Sequence, residues 1–350
     1  MNKPFPIIIC DDSSLARKQM ARTLQDWNVD ITFARHGAEA LEAIHQGKGD
    51  LLFLDLNMPI MDGYQLLERI QQEDLPTITI VVSADIQPDA YTRIKNLGAL
   101  DFIKKPANTE LISDVLYQYG LMNEMNPTEI PSSLPSDTTI DLKSYYQELC
   151  NVAMGHAADR LARLLKVYIQ LPIPRIALIT TDELDMIIVN HTDKSNGAII
   201  SQGFVSPGIA GEVLLMFNES STQNIAKLLQ YDASINSAVD TLNTHSLDTT
   251  AFINSAAEKE VLIDLANVLS GAFLNSLAHQ LDITFNQNPP LLLNLKSSLL
   301  KKSAASQHMK KTLSIEITYR IAEPKITCDL LLLFTEDSLD VLNERVRFFE

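Results

Sequence analysis

Leu51-Leu52-Phe53-Leu54-Asp55-Leu56-Asn57-Met58-Pro59-Ile60-Met61-Asp62-Gly63 decides how the first third of this 350-residue chain folds. Four apolar residues run straight into an acid, and a turn bearing Pro and Gly follows. A short apolar run bounded in this way reads as a strand buried on both faces. Outward from it, the runs 7–10, 78–82 and 102–103 repeat the pattern, and amphipathic stretches at 15–27, 63–72 and 90–97 lie between them. That alternation predicts an α/β doubly wound domain over residues 1–120, with a five-stranded parallel sheet. Ligands in such folds bind at the carboxyl ends of the strands.

Those ends carry a chemically coherent set. Asp11 and Asp12 follow the first strand, Asp55 the third and Ser83 the fourth, and Lys105 lies just beyond the fifth. Clustered carboxylates repel one another and call for a cation, and hard oxygen ligands with room for water suit Mg2+. A carboxylate beside Mg2+ and a lysine can attack phosphate and become an aspartyl-phosphate. Any one of these residues could be a simple turn former; all five together are poorly explained that way. The segments IICDDS, LDLNMPIMDG, VVSA and DFIKKP, in this order, resemble the response-regulator receiver (CheY-like) family. The resemblance implies Asp55 as phosphoacceptor. It also implies Asp12 and the backbone of Asn57 as direct Mg2+ ligands with Asp11 nearby, Ser83 and Lys105 on the phosphoryl oxygens, and Phe102 as a switch aromatic. A sensor histidine kinase is the implied phosphodonor.

Composition narrows the partners. The chain carries 28 basic and 44 acidic residues, a formal charge of -16, and both its halves are acidic. Without a basic patch, a nucleic-acid-binding output is not expected. The longest uninterrupted apolar runs, such as 330–334, are too short to span a bilayer, and the N-terminus does not read as a signal peptide. No membrane association is expected. Cys10, Cys150 and Cys328 have neither metal nor redox spacing, which suggests a reducing cytoplasm. Residues 121–140 hold Pro127, Pro131 and Pro135 among Ser, Thr and Asn and read as a linker.

Residues 141–350 contain an internal repeat. Glu148-Leu149-Cys150-Asn151 and Asp264-Leu265-Ala266-Asn267 are 116 residues apart, and the same offset aligns Gly155 with Gly271 and Leu161 with Leu277. Each Asn is followed 23 residues later by a proline, Pro174 and Pro290. Acid and amide three apart share a helix face. Helices are expected at 141–167 and 257–281. Strands are expected at 175–180, 186–190, 197–205, 211–217, 291–295, 312–321 and 325–334, and further helices near 222–231 and 338–348. Helix then strands, twice over, predicts a pseudo-twofold α+β domain with a largely antiparallel sheet.

The pattern Ser144, Glu148, Asn151, Pro174 resembles the CheC/CheX/FliY family of phosphatases acting on phosphorylated CheY-type receivers. The second copy, Glu260, Asp264, Asn267, Pro290, departs at its first two positions. The resemblance implies a CheC-like phosphatase domain whose Asn orients water onto a partner's aspartyl-phosphate while its Glu pairs with the partner's lysine. Catalytic roles would fall to Glu148, Asn151, Asp264 and Asn267, the shorter Asp264 making a weaker site, and no metal would belong to this domain. The expected protein is thus a response regulator whose output dephosphorylates a CheY-like receiver, controlled by its own Asp55. A CheD-like protein or a flagellar switch are further partners the family implies. A non-catalytic adaptor, and dephosphorylation of this chain's own receiver, are the alternatives.

Overall fold

The computed structural model describes residues 3–123, 125, 142–195, 198–222, 224–225, 256–293 and 311–347. The expected linker at 121–140 and helix near 222–231 lie largely outside those residues. Two compact units, Met1–His156 and Ala157–Glu350, divide the chain within one long helix.

In the first unit, β1 (Phe5–Cys10), β2 (Val29–Ala34), β3 (Leu51–Leu54), β4 (Ile78–Ser83) and β5 (Asp101–Lys104) form a sheet in the order β2-β1-β3-β4-β5. Every pairing is parallel. Helices α1 (Ser14–Thr23), α2 (Gly37–His45), α3 (Gly63–Gln72), α4 (Pro88–Asn96) and α5 (Thr109–Gln118) connect and flank the strands. Buried clusters lie on both faces of the sheet, one around Ile8, Leu52, Leu54 and Val81, the other around Ile7, Leu51, Phe53 and Ile80. This explains why the strands read as unbroken apolar runs rather than alternating ones.

Local chemistry sets the helix that follows the decisive strand. Asp62 caps α3, accepting from Gln65 N at 2.8 Å, while Gln65 Oε1 accepts from Asp62 N at 3.0 Å. This reciprocal capping box satisfies two otherwise orphaned donors. Gly63 is required by proximity: a Cβ there would sit 2.4 Å from the Asp55 carbonyl oxygen. Asp62→Ala is expected to lower receiver stability by about 1 kcal/mol, read as a shift in the urea midpoint.

The long helix α6 (Leu142–Leu165) leads into β6 (Arg175–Thr180), α7 (Thr181–Ser195), β7 (Ala198–Ser206) and β8 (Ile209–Phe217). Then come α8 (Ala256–Gln280), the short β9 (Asn286–Gln287) and β10 (Leu291–Leu292), β11 (Lys311–Ile321), β12 (Ile326–Phe334) and α9 (Leu339–Arg347). Six strands run β10-β7-β8-β12-β11-β6, with β9 pairing β7, and all these contacts are antiparallel. The order reads as a palindrome about the central β8–β12 pair. Each half supplies a hairpin, β7–β8 or β11–β12, and lends its outermost strand, β6 or β10, to the other half's hairpin.

One sheet face carries Ile199, Leu214, Met216, Leu331 and Leu333 against Leu184, Ile187 and Ile188 of α7. On the other, Leu161 and Leu165 of α6 and Leu265 and Leu269 of α8 meet Phe217, Tyr319, Ile321, Ile326 and Cys328 around a small apolar cavity.

One expectation fails here, and one reading is incomplete. The strand expected at 186–190 is instead part of α7. Its start is fixed by Thr180 and Glu183: Glu183 N donates to Thr180 Oγ1 at 3.3 Å, and Thr180 N to Glu183 Oε2 at 2.7 Å. That capping box and the spacing of Leu184, Ile187 and Ile188 outweigh the β-branched composition. Second, a 22-residue stretch of α8, Lys259–Gln280, is long and apolar enough to cross a membrane by length and composition. Scattered polar residues hide it from a search for uninterrupted runs. With 61% of its window buried in the fold, it has the burial of a core helix.

Candidate functional site

The carboxyl ends of β1, β3 and β4 and the residue after β5 converge on one pocket. Asp11 is buried; its Oδ1 accepts from Ser13 N at 2.8 Å and its Oδ2 from Lys105 Nζ at 2.7 Å. Asp55, also buried, has Oδ2 3.1 Å from Asn57 N and Oδ1 3.4 Å from Lys105 Nζ. Asp12 completes the trio: one oxygen from each of Asp11, Asp12 and Asp55 lies within 4.8 Å of the others. Ser83 is fully buried and its Oγ accepts from Asp85 N at 3.2 Å. Phe102 is half-buried, with its ring edge-on to Tyr91 at 6.3 Å.

The fit to a divalent cation rests on two observations. Among the described residues, the pocket's carboxylates outnumber its buried lysine, Lys105, and Asp12 Oδ1 is buried with no hydrogen-bond partner. Burial, reinforced by Asp11 and Asp55, pushes the Asp12 carboxyl up to about 8. Burial likewise lifts Asp55 to about 6, against the opposing pull of Lys105. For Lys105 the desolvation that would lower it is outweighed by its carboxylate neighbours, and its ammonium is held well above the usual range. Asp11, Asp12 and Asp55 could thus hold a hard cation.

Sequence reasoning missed two contributors to this pocket. Arg17, buried on α1, donates from Nη1 to the Asp11 carbonyl at 2.7 Å and fixes the turn that aims the acids. Gln147 Nε2 donates to Asp12 Oδ2 at 2.7 Å. A signal existed for Arg17, which lies three and four residues before buried Met20 and Ala21 on one face of α1. None existed for Gln147, because its partner is 135 residues away.

The first part of α6, Leu142–His156, belongs to this same compact unit. Glu148 Oε1 lies 3.4 Å from Lys105 Nζ, and burial lifts its carboxyl to about 7 despite the lysine. Ser14 Oγ donates to Ser144 Oγ at 3.2 Å. Asn151, one turn beyond Glu148, is buried. The second copy has a different environment. Glu260, Asp264 and Asn267 are exposed on α8, and Gln202 Nε2 reaches Asn267 Oδ1 at 3.5 Å.

Residues 7–117 match the family model described as the response regulator receiver domain. The first unit is thus a receiver by fold, by its acids and by this match. Among particular proteins, the chain is 38% identical over 102 residues to protein-glutamate methylesterase/protein-glutamine glutaminase 3 of Geobacter sulfurreducens, covering 29% of this chain and 27% of that protein. Further relatives from other organisms carry the same type of name over 102 to 122 residues. The chain spans about three-tenths of the length of these methylesterase relatives. The CheX–CheY–BeF3–Mg2+ complex of Borrelia burgdorferi includes a chain 28% identical to this one. The match covers 33% of this chain and 90% of that one, with a TM-score of 0.32. Thermotoga maritima FliY is 20% identical, covers 61% of this chain and 99% of that one, and has a TM-score of 0.41.

These findings correct the expectation for residues 141–350. The curated relatives named here are methylesterases/glutaminases rather than CheC/CheX/FliY phosphatases, and the likeness to FliY is too weak to carry an argument. An antiparallel sheet flanked by helices occurs in several folds and does not single out a CheC-like one. The CheC-like fold label and the aspartyl-phosphate phosphatase activity are therefore withdrawn. So are the phosphorylated CheY-like substrate, the CheD-like and flagellar-switch partners, and the alternatives built on the same family. The matched spans are close in length to residues 7–117, so the relatives speak first for the receiver.

Proposed function

We propose that the chain is a two-component response regulator. Its receiver takes a phosphoryl group on Asp55 from a histidine kinase and relays the change to the fused unit. The observation that carries this is the pocket itself: buried Asp55 with Lys105 Nζ at 3.4 Å and the oxygens of Asp11 and Asp12 beside it. An Asp55 oxygen forms the new bond to phosphorus as the donor's bond to phosphorus breaks, and the donor leaves with the electron pair. Lys105 and the hydroxyl of Ser83 hold the phosphoryl oxygens. Asp11, Asp12, Asp55 and the Asn57 backbone would hold Mg2+, which would supply neutralisation of the charge that collects there. The free, buried cysteines suit a cytoplasmic signalling protein.

The test is incubation with acetyl phosphate and Mg2+, followed by intact-mass and peptide analysis. One phosphoryl group per chain, located at Asp55, is expected; a label elsewhere, or none, would refute the reading.

For the fused unit, the relatives' names put forward hydrolysis of a glutamate methyl ester or a glutamine amide. The support is those names alone, over spans of receiver length. Release of methanol or ammonia from methylated or glutamine-bearing peptides, with and without acetyl phosphate, decides it. Turnover that rises on phosphorylation would support this activity, and its absence in both states would exclude it.

A further inference from the structure

Helix α6 lays one face on the phosphoacceptor pocket. Ser144, Gln147, Glu148, Asn151 and Gly155 recur at the three- and four-residue spacing of a single helical stripe. Along it, Ser144 meets Ser14, Gln147 meets Asp12 and Glu148 meets Lys105. At Gly155 the helix comes so close that a Cβ would fall 2.0 Å from the Ala84 carbonyl oxygen. Ala84 directly follows Ser83, so this backbone contact lies beside a group assigned to the phosphoryl oxygens. Tyr145, Tyr146 and Cys150 are buried around the stripe.

The charges in this contact are specific to an unphosphorylated pocket. Lys105 Nζ is shared by Asp11 at 2.7 Å and by Asp55 and Glu148, each at 3.4 Å. Glu148 is therefore a fourth carboxylate in a pocket with one lysine, and its Oε2 is buried without a partner. A phosphoryl group on Asp55 brings close to two negative charges and needs Lys105 for itself. Two anions cannot share that ammonium in a desolvated site without a large penalty. Gln147, meanwhile, donates to Asp12 Oδ2, so the seated helix leaves only Oδ1 of that acid open to a cation.

We infer that the Leu142–His156 segment of α6 is an internal plug of the receiver pocket, so that its seating and phosphorylation of Asp55 exclude each other. The seated plug slows phosphorylation, because the donor must find Lys105 free. Phosphorylation in turn expels Glu148, and since α6 continues into the second unit, the expelled helix delivers the signal there. The two effects are one coupling free energy seen from two sides. This inference rests on Asp55 being the acceptor.

The test uses the full chain with Mg2+, beryllofluoride and acetyl phosphate as probes, and two variants. Glu148→Ala removes the competing charge. Gly155→Leu blocks close approach without altering a charge. Both are expected to gain label at Asp55 on the order of tenfold faster than wild type. Hydrogen exchange of peptides covering 142–156 is expected to be slow in the untreated wild type. It should be fast in both variants, and in wild type given Mg2+ and beryllofluoride. Wild-type labelling rates in both variants, together with protection that survives beryllofluoride, would overturn the plug. If acetyl phosphate labels Asp55 in no variant, the acceptor reading falls first. The exchange data still judge the seating: faster exchange in the two variants upholds it, and unchanged protection removes it.

Discussion

Asp55→Asn is expected to take no phosphoryl label and, in the absence of divalent cations, to unfold at a higher temperature than wild type. The first effect is complete loss, because the amide has no anionic oxygen to attack phosphorus. The second follows from crowding. Asp55 is buried among Asp11, Asp12 and Glu148, and desolvation raises its carboxyl to about 6. Near neutral pH the fold therefore bears the cost of keeping that carboxylate ionised, whereas Asn keeps an oxygen for Asn57 N and relieves the repulsion. The gain is on the order of 1–3 kcal/mol, or a few degrees in the melting of the receiver. Its pH dependence has a definite sign. A carboxyl raised on folding is most destabilising above its folded value and ceases to be so below its unfolded value. The gap between variant and wild type should therefore be widest above pH 6 and close as the pH falls toward 4. Saturating Mg2+ should narrow it from the other side by stabilising only the wild-type acid cluster. A label on the variant would remove Asp55 from the mechanism, and a lower melting temperature would refute the crowding argument.

Phe217→Ala is expected to cost the second unit about 3–5 kcal/mol. Phe217 ends β8, is 1% exposed, and borders a small apolar cavity with Leu161, Leu269 and Tyr319. Removing the ring enlarges a void that close neighbours cannot refill. Chemical denaturation should show one transition moving to lower denaturant. Labelling of Asp55 should persist, since the receiver cores around Ile8 and Ile7 contain no residue of that sheet. Loss of labelling in the folded variant would show that the two units do not hold their folds separately.

The receiver was legible because its signals are local. The LLFLD run with its Pro- and Gly-bearing turn, and the Asp11–Asp12 pair directly after the first strand, each lie within a few residues. Lys105 and Asp11, 94 residues apart, were still legible as neighbours, because a doubly wound sheet gathers its strand ends. Gln147 and Asp12, 135 apart, were not, because no local signal ties that helix to the strand ends. The repeat drew attention to Glu148 and Asn151, and the structure sets the Glu148 carboxylate 3.4 Å from Lys105 of a receiver pocket and buries Asn151. That pocket belongs to the same chain, an arrangement to which periodicity is blind. In the second unit, β-branched composition misled at Ile187 and Ile188, where capping by Thr180 and Glu183 decided for a helix. A family resemblance carried by four positions proved too short to settle what the unit does.

The exchanged outer strands of the palindromic sheet bear on how the chain is made. Strand β6 emerges early from the ribosome, yet its hydrogen-bonding partner β11 begins only at Lys311. During that wait β6 offers an unpaired edge bearing Leu178, which stays 56% exposed even when folded. Neither half of the repeat can finish its sheet alone, so newborn chains on neighbouring ribosomes can trade β6 and lock into entangled pairs. The symmetry that makes the finished sheet continuous thus leaves β6 waiting for its partner strand until Lys311 and beyond have been made.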